Sequence, residues 1–209
     1  MSKSNISTRQ KILDKALEMF NERGIEYVGL RELAAILDIR VGNITYYFPT
    51  KDDLVYELSL ELGKQNSLII VTSSDMSISR FMSIQYQVFK NHQKFRCLLL
   101  SFVHVMKQNK LIAAAYTKRQ KIRRDTIKAN ISVMAASGYL KLESEAENDF
   151  LVSAIALISR FWISEAAISG TKMNEEQQIR YYLNLLSGLI MPYTTARGKK
   201  DLQQFAGSL

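Results

Sequence analysis

Apolar residues recur with helical spacing along most of the chain, and no strand-length segment alternates between apolar and polar positions. A first helix is predicted over 8–23 and ended by Gly24. Further periodic segments predict helices over 51–66, 78–91, 95–107, 110–136, 144–169 and 174–191. The polar tail, 197–209, predicts at most one short helical turn or a mobile end. We therefore expect an all-α protein.

Two short helices lie between the first helix and the one beginning near Lys51. Leu33 and Ala34 give the segment 30–37 an inner face, and Asp38 fits the tight turn that ends it. In the next segment, 41–47, Ile44 is the apolar anchor, together with Phe48 just beyond it. Two short helices joined by a tight turn predict a helix-turn-helix, which places its second helix in the major groove of DNA.

Composition narrows the class of protein. Of the 209 residues, 47% are hydrophobic and two are proline, which favours a folded helical chain over disorder. The single cysteine, Cys97, excludes a disulfide framework and a multi-cysteine zinc site. The N-terminus is polar, and the apolar run 154–159 is too short to span a bilayer, so we expect a cytoplasmic protein with no membrane contact. No phosphate loop, metal cluster or nucleophile triad is apparent, so neither an enzyme nor a cofactor is expected.

The positive charge is unevenly distributed. The chain has a net charge of +8, which suits a polyanionic partner. Residues 1–60, however, carry eight Lys and Arg against nine Asp and Glu, whereas residues 90–128 carry eleven basic residues and one acid. The basic segment 117–128 has three interpretations: a solvated helix face, a source of positive potential near DNA, or an attraction for an acidic effector. Net charge alone is therefore weak evidence for DNA binding.

From Gly24 to Leu54 the sequence resembles the TetR family of transcriptional regulators. The matching positions are Gly24, Leu33-Ala34, Ile39, Gly42-Asn43-Ile44, Tyr46-Tyr47-Phe48 and Lys51-Asp52-Asp53-Leu54. Four positions depart from the family pattern: Gly29 replaces a capping Thr, Asp38 a turn Gly, Arg40 a capping Ser, and Thr45 a phosphate-contacting Tyr. Phosphate anchoring by that Tyr is therefore not carried over to this chain.

The resemblance implies an N-terminal three-helix DNA-binding head, residues 1–50, a connecting helix at 51–66, and a larger helical ligand-binding and dimerisation domain at 67–209. The implied function is a homodimeric repressor that binds palindromic double-stranded DNA and is released by a small-molecule effector. The polar or close-approach residues of the head are the candidate DNA contacts: Arg31, Arg40, Val41, Gly42, Asn43, Thr45, Tyr46, Tyr47 and Lys51.

A dimer interface and an effector pocket are also implied. The two long C-terminal helices carry apolar stripes wider than one intramolecular face needs, and the interface candidates are Ile155, Ile158, Trp162, Tyr182, Leu183, Leu186 and Ile190. An apolar or amphiphilic effector would meet the pocket candidates Phe81, Tyr86, Phe89, Phe95, Phe102, His104, Met106, Tyr116, Met134 and Trp162. The alternative is that both sets are ordinary core.

A second function remains open from the sequence. The same head would serve a ligand-independent DNA binder with an architectural or protein-recruiting role. A body packed without a cavity would favour that alternative over an effector-released repressor.

Overall fold

Eleven α-helices are present in the residues that the computed structural model describes, which are 7–69, 74–170 and 172–208. In chain order they are α1 (Thr8–Arg23), α2 (Leu30–Ile36), α3 (Val41–Tyr47), α4 (Lys51–Ile69), α5 (Ile78–Lys94), α6 (Arg96–Leu100), α7 (Phe102–Gln108), α8 (Lys110–Ala136), α9 (Glu145–Ile168), α10 (Glu175–Ile190) and α11 (Ala196–Ser208). A 3₁₀ turn, Met191–Tyr193, links the last two. No strand is formed in these ranges, so the expected all-α class is confirmed.

Side-chain caps fix the starts of several helices. Thr50 and Asp53 cap each other's backbone N–H before α4, with distances of 2.9 and 3.2 Å. Asn174 and Gln177 form the complete capping box before α10, at 2.9 Å in both directions. Because these bonds satisfy donors that the first helical turn leaves unpaired, short sequence signals define where the helices begin.

The helices divide into two compact units. The first contains the described residues up to Gly63 together with Phe95–Ala115, and the second contains the described residues of Lys64–Lys94 and Tyr116–Leu209. In the first unit, Asn21 of α1 accepts a 3.0 Å hydrogen bond from the backbone N–H of Cys97 in α6. The sequence prediction assigned residues 95–115 to the second domain, whereas this packing places them with the head.

The predicted helix over 95–107 is interrupted. Phe95 (φ −110°, ψ 34°) and Ser101 (φ −87°, ψ 14°) leave helical geometry, which separates α5, α6 and α7. Cys97, Leu98 and Leu99 of α6 are buried, while Val105 is the buried residue of α7. Apolar spacing continues through both breaks, so periodicity alone predicted one helix where the backbone forms two.

The predicted short turn in the tail is instead a helix of 13 residues, α11. Its Leu202 and Phe205 are buried. The Asp201 carboxylate accepts hydrogen bonds from the backbone N–H of Ser79 at 2.7 Å and from its hydroxyl at 2.9 Å. Leu202 and Phe205 therefore bury one face of α11, and Asp201 caps the start of α5. Together these contacts hold the polar tail against the second unit.

Helix α9 illustrates the limit of counting apolar runs. The run 154–159 is short, but by length and composition alone the whole of α9 is long and apolar enough to cross a membrane. Leu151, Ile155 and Trp162 of this helix are buried inside the protein. That burial is the arrangement of a core helix.

Candidate nucleic-acid interface

The turn between α2 and α3 is closed by main-chain hydrogen bonds. The N–H of Ile39 donates to the carbonyl of Ala34 at 3.0 Å, and the N–H of Asp38 donates to that of Ala35 at 3.2 Å. Asp38 has a φ of +53°, in the left-handed region that this helix-ending motif requires. The departure at position 38 therefore keeps the turn, because Asp tolerates this conformation better than most residues do.

Helix α3 is held by two apolar side chains. Ile44 and Phe48 are buried. The guanidinium carbon of Arg9 lies 5.1 Å from the centre of the Phe48 ring, and Arg9 also forms an ion pair with Glu57. Since the anchors lie on one side of a seven-residue helix, the remaining side of α3 faces outward.

The outward side carries most of the predicted DNA contacts. Arg31, Arg40, Gly42, Asn43, Tyr46 and Tyr47 are exposed, and Val41 and Thr45 are half-buried. Tyr46 is 80% exposed, and its ring meets Tyr47 edge to face at 4.9 Å. Such exposure of a large aromatic side chain leaves it available to a partner surface. Seven of these eight residues lie on α3 or at its N-cap, and Arg31 lies on the preceding helix α2.

Arg31 and Arg40 are available for intermolecular contacts. Neither forms an ion pair with a carboxylate in the described part of the chain. Arg40 occupies the N-cap position of α3 without a side-chain capping bond, as its departure from the family pattern led us to expect. A guanidinium in this state can donate two hydrogen bonds to a guanine edge or to a phosphate.

Lys51, the ninth predicted contact, is engaged within the first unit. Its ammonium donates to the carbonyl oxygens of Ile25 at 2.9 Å and Glu26 at 3.3 Å. These bonds tie the start of α4 to the loop after α1. An ammonium has three donors, so one remains for a phosphate oxygen.

The predicted pocket residues are divided between the two units. Phe95, Phe102, His104 and Met106 belong to the first, and Phe81, Tyr86, Phe89, Tyr116, Met134 and Trp162 belong to the second. His104 is exposed and borders a cleft of about 30 Å³ with Lys51, Asp52 and Asn109, enough for a water molecule. Phe81, Phe89, Phe95, Met134 and Trp162 are almost completely buried.

Six of the seven predicted interface residues point into the interior of the chain. Ile155, Trp162, Tyr182, Leu183, Leu186 and Ile190 are buried, and Ile158 is half-buried. The apolar side chains that α9 and α10 leave exposed are different ones: Phe150, Leu157, Ile168, Tyr181 and Leu185. The apolar stripes predicted from the sequence include Phe150 and Leu157, but the seven selected interface candidates omit this set, because the sequence alone did not separate the two faces of each helix. The sequence does indicate a second apolar stripe on α9, because positions 150, 154, 157, 161 and 168 are separated by three, four or seven residues and so share one helix face.

Two family models match the chain. One, described as bacterial regulatory proteins of the tetR family, matches residues 12–58, which include α2, α3 and the turn between them. The other, described as TetR, bacterial transcriptional repressor, matches residues 64–202.

Individual proteins show the same similarity. The probable HTH-type transcriptional regulator YttP of Bacillus subtilis is 33% identical over 69 residues, which is 33% of this chain and 33% of that protein, so the match spans only about a third of its length. A crystal structure of a TetR-family transcriptional regulator from Marinobacter aquaeolei VT8 superimposes with a TM-score of 0.88 at 20% identity, covering 97% of this chain and 98% of that one. The SmeT–triclosan complex superimposes with a TM-score of 0.62 at 13% identity, covering 90% and 92%. Both structural matches are evidence of fold.

Proposed function

Because the chain belongs to the TetR family of bacterial transcriptional regulators, we propose that it is a homodimeric repressor that binds a palindromic operator through α3. Regulators of this family are non-enzymatic DNA-binding proteins. The observation that carries the proposal is the geometry of α3. Ile44 and Phe48 hold one side of the helix inward, and Asn43 and Tyr46 are exposed on the other.

Roles on DNA follow from the chemistry of each side chain. Arg31, Arg40 and Asn43 have the donors and acceptors that distinguish base edges in the major groove. The hydroxyls of Thr45, Tyr46 and Tyr47 and the ammonium of Lys51 suit phosphate and sugar, while Val41 offers apolar contact and Gly42 a close backbone approach. Base contacts set specificity, and phosphate contacts set register and affinity.

A second copy of the chain supplies the second head. One helix of seven residues reads a few base pairs, so two heads on a two-fold site are needed for tight binding. We place the dimer interface on the exposed apolar side chains of α9 and α10, where Leu157 is 58% exposed and Leu185 is 45% exposed. Two helices from each copy then form a four-helix bundle. Ile158, half-buried, lies at the margin of this face.

An effector would act by preferring one of two arrangements of the dimer. One structure of this fold is a complex of SmeT with triclosan. A ligand that binds more tightly to the DNA-free arrangement than to the DNA-bound one lowers operator affinity. The largest reduction equals the ratio of the ligand's affinities for the two arrangements. The buried Phe81, Phe89 and Trp162 are the candidates to surround it, by opening of their packing.

Selection of bound fragments from a random pool of double-stranded DNA tests the proposal. We expect a palindrome, with half-sites spaced by about one helical turn or a multiple of it. Asn43→Ala and Arg31→Ala should relax the preference at single positions and cost roughly 1–3 kcal/mol each. Gln203→Ala, an exposed polar residue on α11, is the matched control and should select the same sequence. Enrichment of no sequence, or of one that Asn43→Ala leaves unchanged, would contradict the assignment of α3 as the reading helix.

A further inference from the structure

Two arginines of the second unit lie beside one tyrosine, and a third is close enough to Arg123 to repel its charge. Arg119 and Arg123 are on α8, and Arg160 is on α9. The guanidinium carbons of Arg123 and Arg160 lie 5.8 and 5.5 Å from the centre of the Tyr116 ring. Within the described residues, no Asp or Glu forms an ion pair with any of the three arginines. The cluster therefore concentrates positive charge without a compensating acid.

One donor in the cluster has no acceptor. The Nε–H of Arg160 is buried and makes no hydrogen bond to any described residue. The guanidinium carbon also lies 5.7 Å from the centre of the Phe161 ring, so the group is in contact with two aromatic rings. Since nearly all buried polar groups in folded proteins are hydrogen-bonded, an acceptor from outside the chain is expected here.

The cluster is also unfavourable for the ligand-free fold. Burial lowers the pKa of Arg123, and the positive charges of Arg160 and Arg119 lower it further, against an opposing contribution from Tyr116. A desolvated cation beside other cations destabilises the structure that contains it. Natural proteins retain such local costs mainly where binding or catalysis requires them.

We propose that Arg123 and Arg160, together with Tyr116, bind the carboxylate or phosphate group of an acidic small molecule. The planar guanidinium groups match these anions with paired N–H donors, and the anion supplies both the missing acceptor and the missing negative charge. The proposal rests on the proposed function, because it names the chemical class of the effector. It narrows the expectation of an apolar or amphiphilic effector to one with an anionic group.

Thermal unfolding of the 209-residue chain tests the site without DNA. The probes are octanoate, its neutral counterpart octanol, and inorganic phosphate, each at matched ionic strength. We expect octanoate or phosphate to raise Tm more than octanol or added chloride does, because binding to the native state stabilises it. The comparison of octanoate with phosphate distinguishes a carboxylate ligand from a phosphate ligand. Trp162, the only tryptophan, provides the fluorescence signal.

Charge-removing variants locate the effect. Arg123→Gln and Arg160→Gln should abolish the increase in Tm, and Lys121→Gln, an exposed cation on the same helix α8, should keep it. In the absence of anions, the two arginine variants should unfold at or above the wild-type Tm, because each removes an unpaired desolvated charge. A purely structural role for these arginines would instead lower Tm in both.

Several results would overturn the proposal: no increase with either anion, an equal increase with octanoate and octanol, an increase that persists in both arginine variants, or a lower ligand-free Tm in both. None of these results affects the proposed function, which is tested on the same wild-type preparation by DNA selection. Failure to select DNA, by contrast, would count against the proposed function while leaving the anion measurements valid.

Discussion

The indole N–H of Trp162 donates a hydrogen bond to Nδ1 of His92 over 3.3 Å inside the second unit. Phe89 stacks on the Trp162 ring with its centre 4.9 Å away, and the His92 ring is stacked against Phe89 at 6.2 Å. Because Nδ1 accepts, the neutral imidazole carries its proton on Nε2. His92 is therefore a hydrogen-bond acceptor in the core.

The burial of His92 makes stability depend on pH. Burial, and then the positive charge of Arg123, lowers the pKa of His92 from 6.5 to about 3. The unfolded chain binds a proton below pH 6.5 and the folded chain does not, so stability is lost as pH falls from about 6.5 towards 3. The expected loss is up to about 1.4 kcal/mol per pH unit within this window.

Urea unfolding of the wild type and His92→Gln at pH 7 and pH 5 measures this loss. Glutamine can accept the Trp162 hydrogen bond but does not titrate, so the difference in unfolding free energy between the two pH values should shrink in the variant. An identical pH dependence in both proteins would show that His92 titrates in the folded chain as it does in the unfolded chain, which would contradict the lowered pKa.

Asp38 should tolerate glycine but not valine. Its φ of +53° costs an ordinary residue about 1–2 kcal/mol, and a β-branched side chain is the least suited to it. We expect Asp38→Gly to stay close to the wild-type unfolding free energy and Asp38→Val to lose that amount. Asp125→Val, at an exposed helical position of α8, is the control and should lose only the smaller difference in helix propensity. Equal losses at the two positions would argue against a strained turn.

The head was largely predictable from the sequence because its signals are local. The predicted limits of α3 were correct to the residue, because the turn at Asp38 precedes the helix and Ile44 and Phe48 anchor it. Capping pairs such as Thr50 and Asp53 lie within four residues of each other, so they too can be predicted from the sequence.

The body was less predictable because its signals depend on long-range packing. Helix α11 is stabilised by Asp201 bonding to Ser79, which is 122 positions away. In the same way, periodicity predicted apolar stripes on α9 and α10 but did not show which apolar side chains are buried. In the structure Ile155 is buried and Leu157 is exposed. The arginines at 123 and 160 lie on different helices, so only the fold shows that they are neighbours.

Gly42→Ala should separate DNA binding from folding. A Cβ added at Gly42 has no atom within 4 Å, so the protein itself leaves room for it. Alanine favours a helix over glycine by roughly 0.5–1 kcal/mol, so stability should be unchanged or slightly higher. If DNA backbone or bases approach this position closely, the added methyl group should weaken operator binding. Unfolding and DNA titration on one preparation measure both effects, and unchanged DNA binding would show that α3 does not approach DNA at Gly42.

Gly198 presents the opposite case, because its space is filled by the protein. A Cβ added there would lie 2.1 Å from the carbonyl oxygen of Tyr139 and 3.1 Å from Cδ1 of Ile78. Gly198→Ala should therefore destabilise the second unit by about 1–3 kcal/mol or more, as overpacking does. Gly207→Ala, on the same helix α11 with no atom within 4 Å, is the matched control and should not destabilise. Similar Tm values for the two variants would contradict the close packing of α11.

Charge on the exposed apolar face of α9 and α10 should separate the two copies of the proposed dimer. Leu157 and Leu185 lie largely outside the core of their own chain, so Leu157→Glu and Leu185→Glu should cost little stability within one chain. In a four-helix bundle between two copies, the new carboxylate would be buried without a cationic partner. Because the two copies are related by symmetry, each substitution buries two such carboxylates, which strongly opposes association. Sedimentation should show a dimer for the wild type and monomers for both variants, with weaker binding to a palindromic operator. Leu68→Glu, at a leucine of α4 that is 74% exposed, should remain dimeric. A monomeric wild type, or variants that stay dimeric, would exclude this face as the interface.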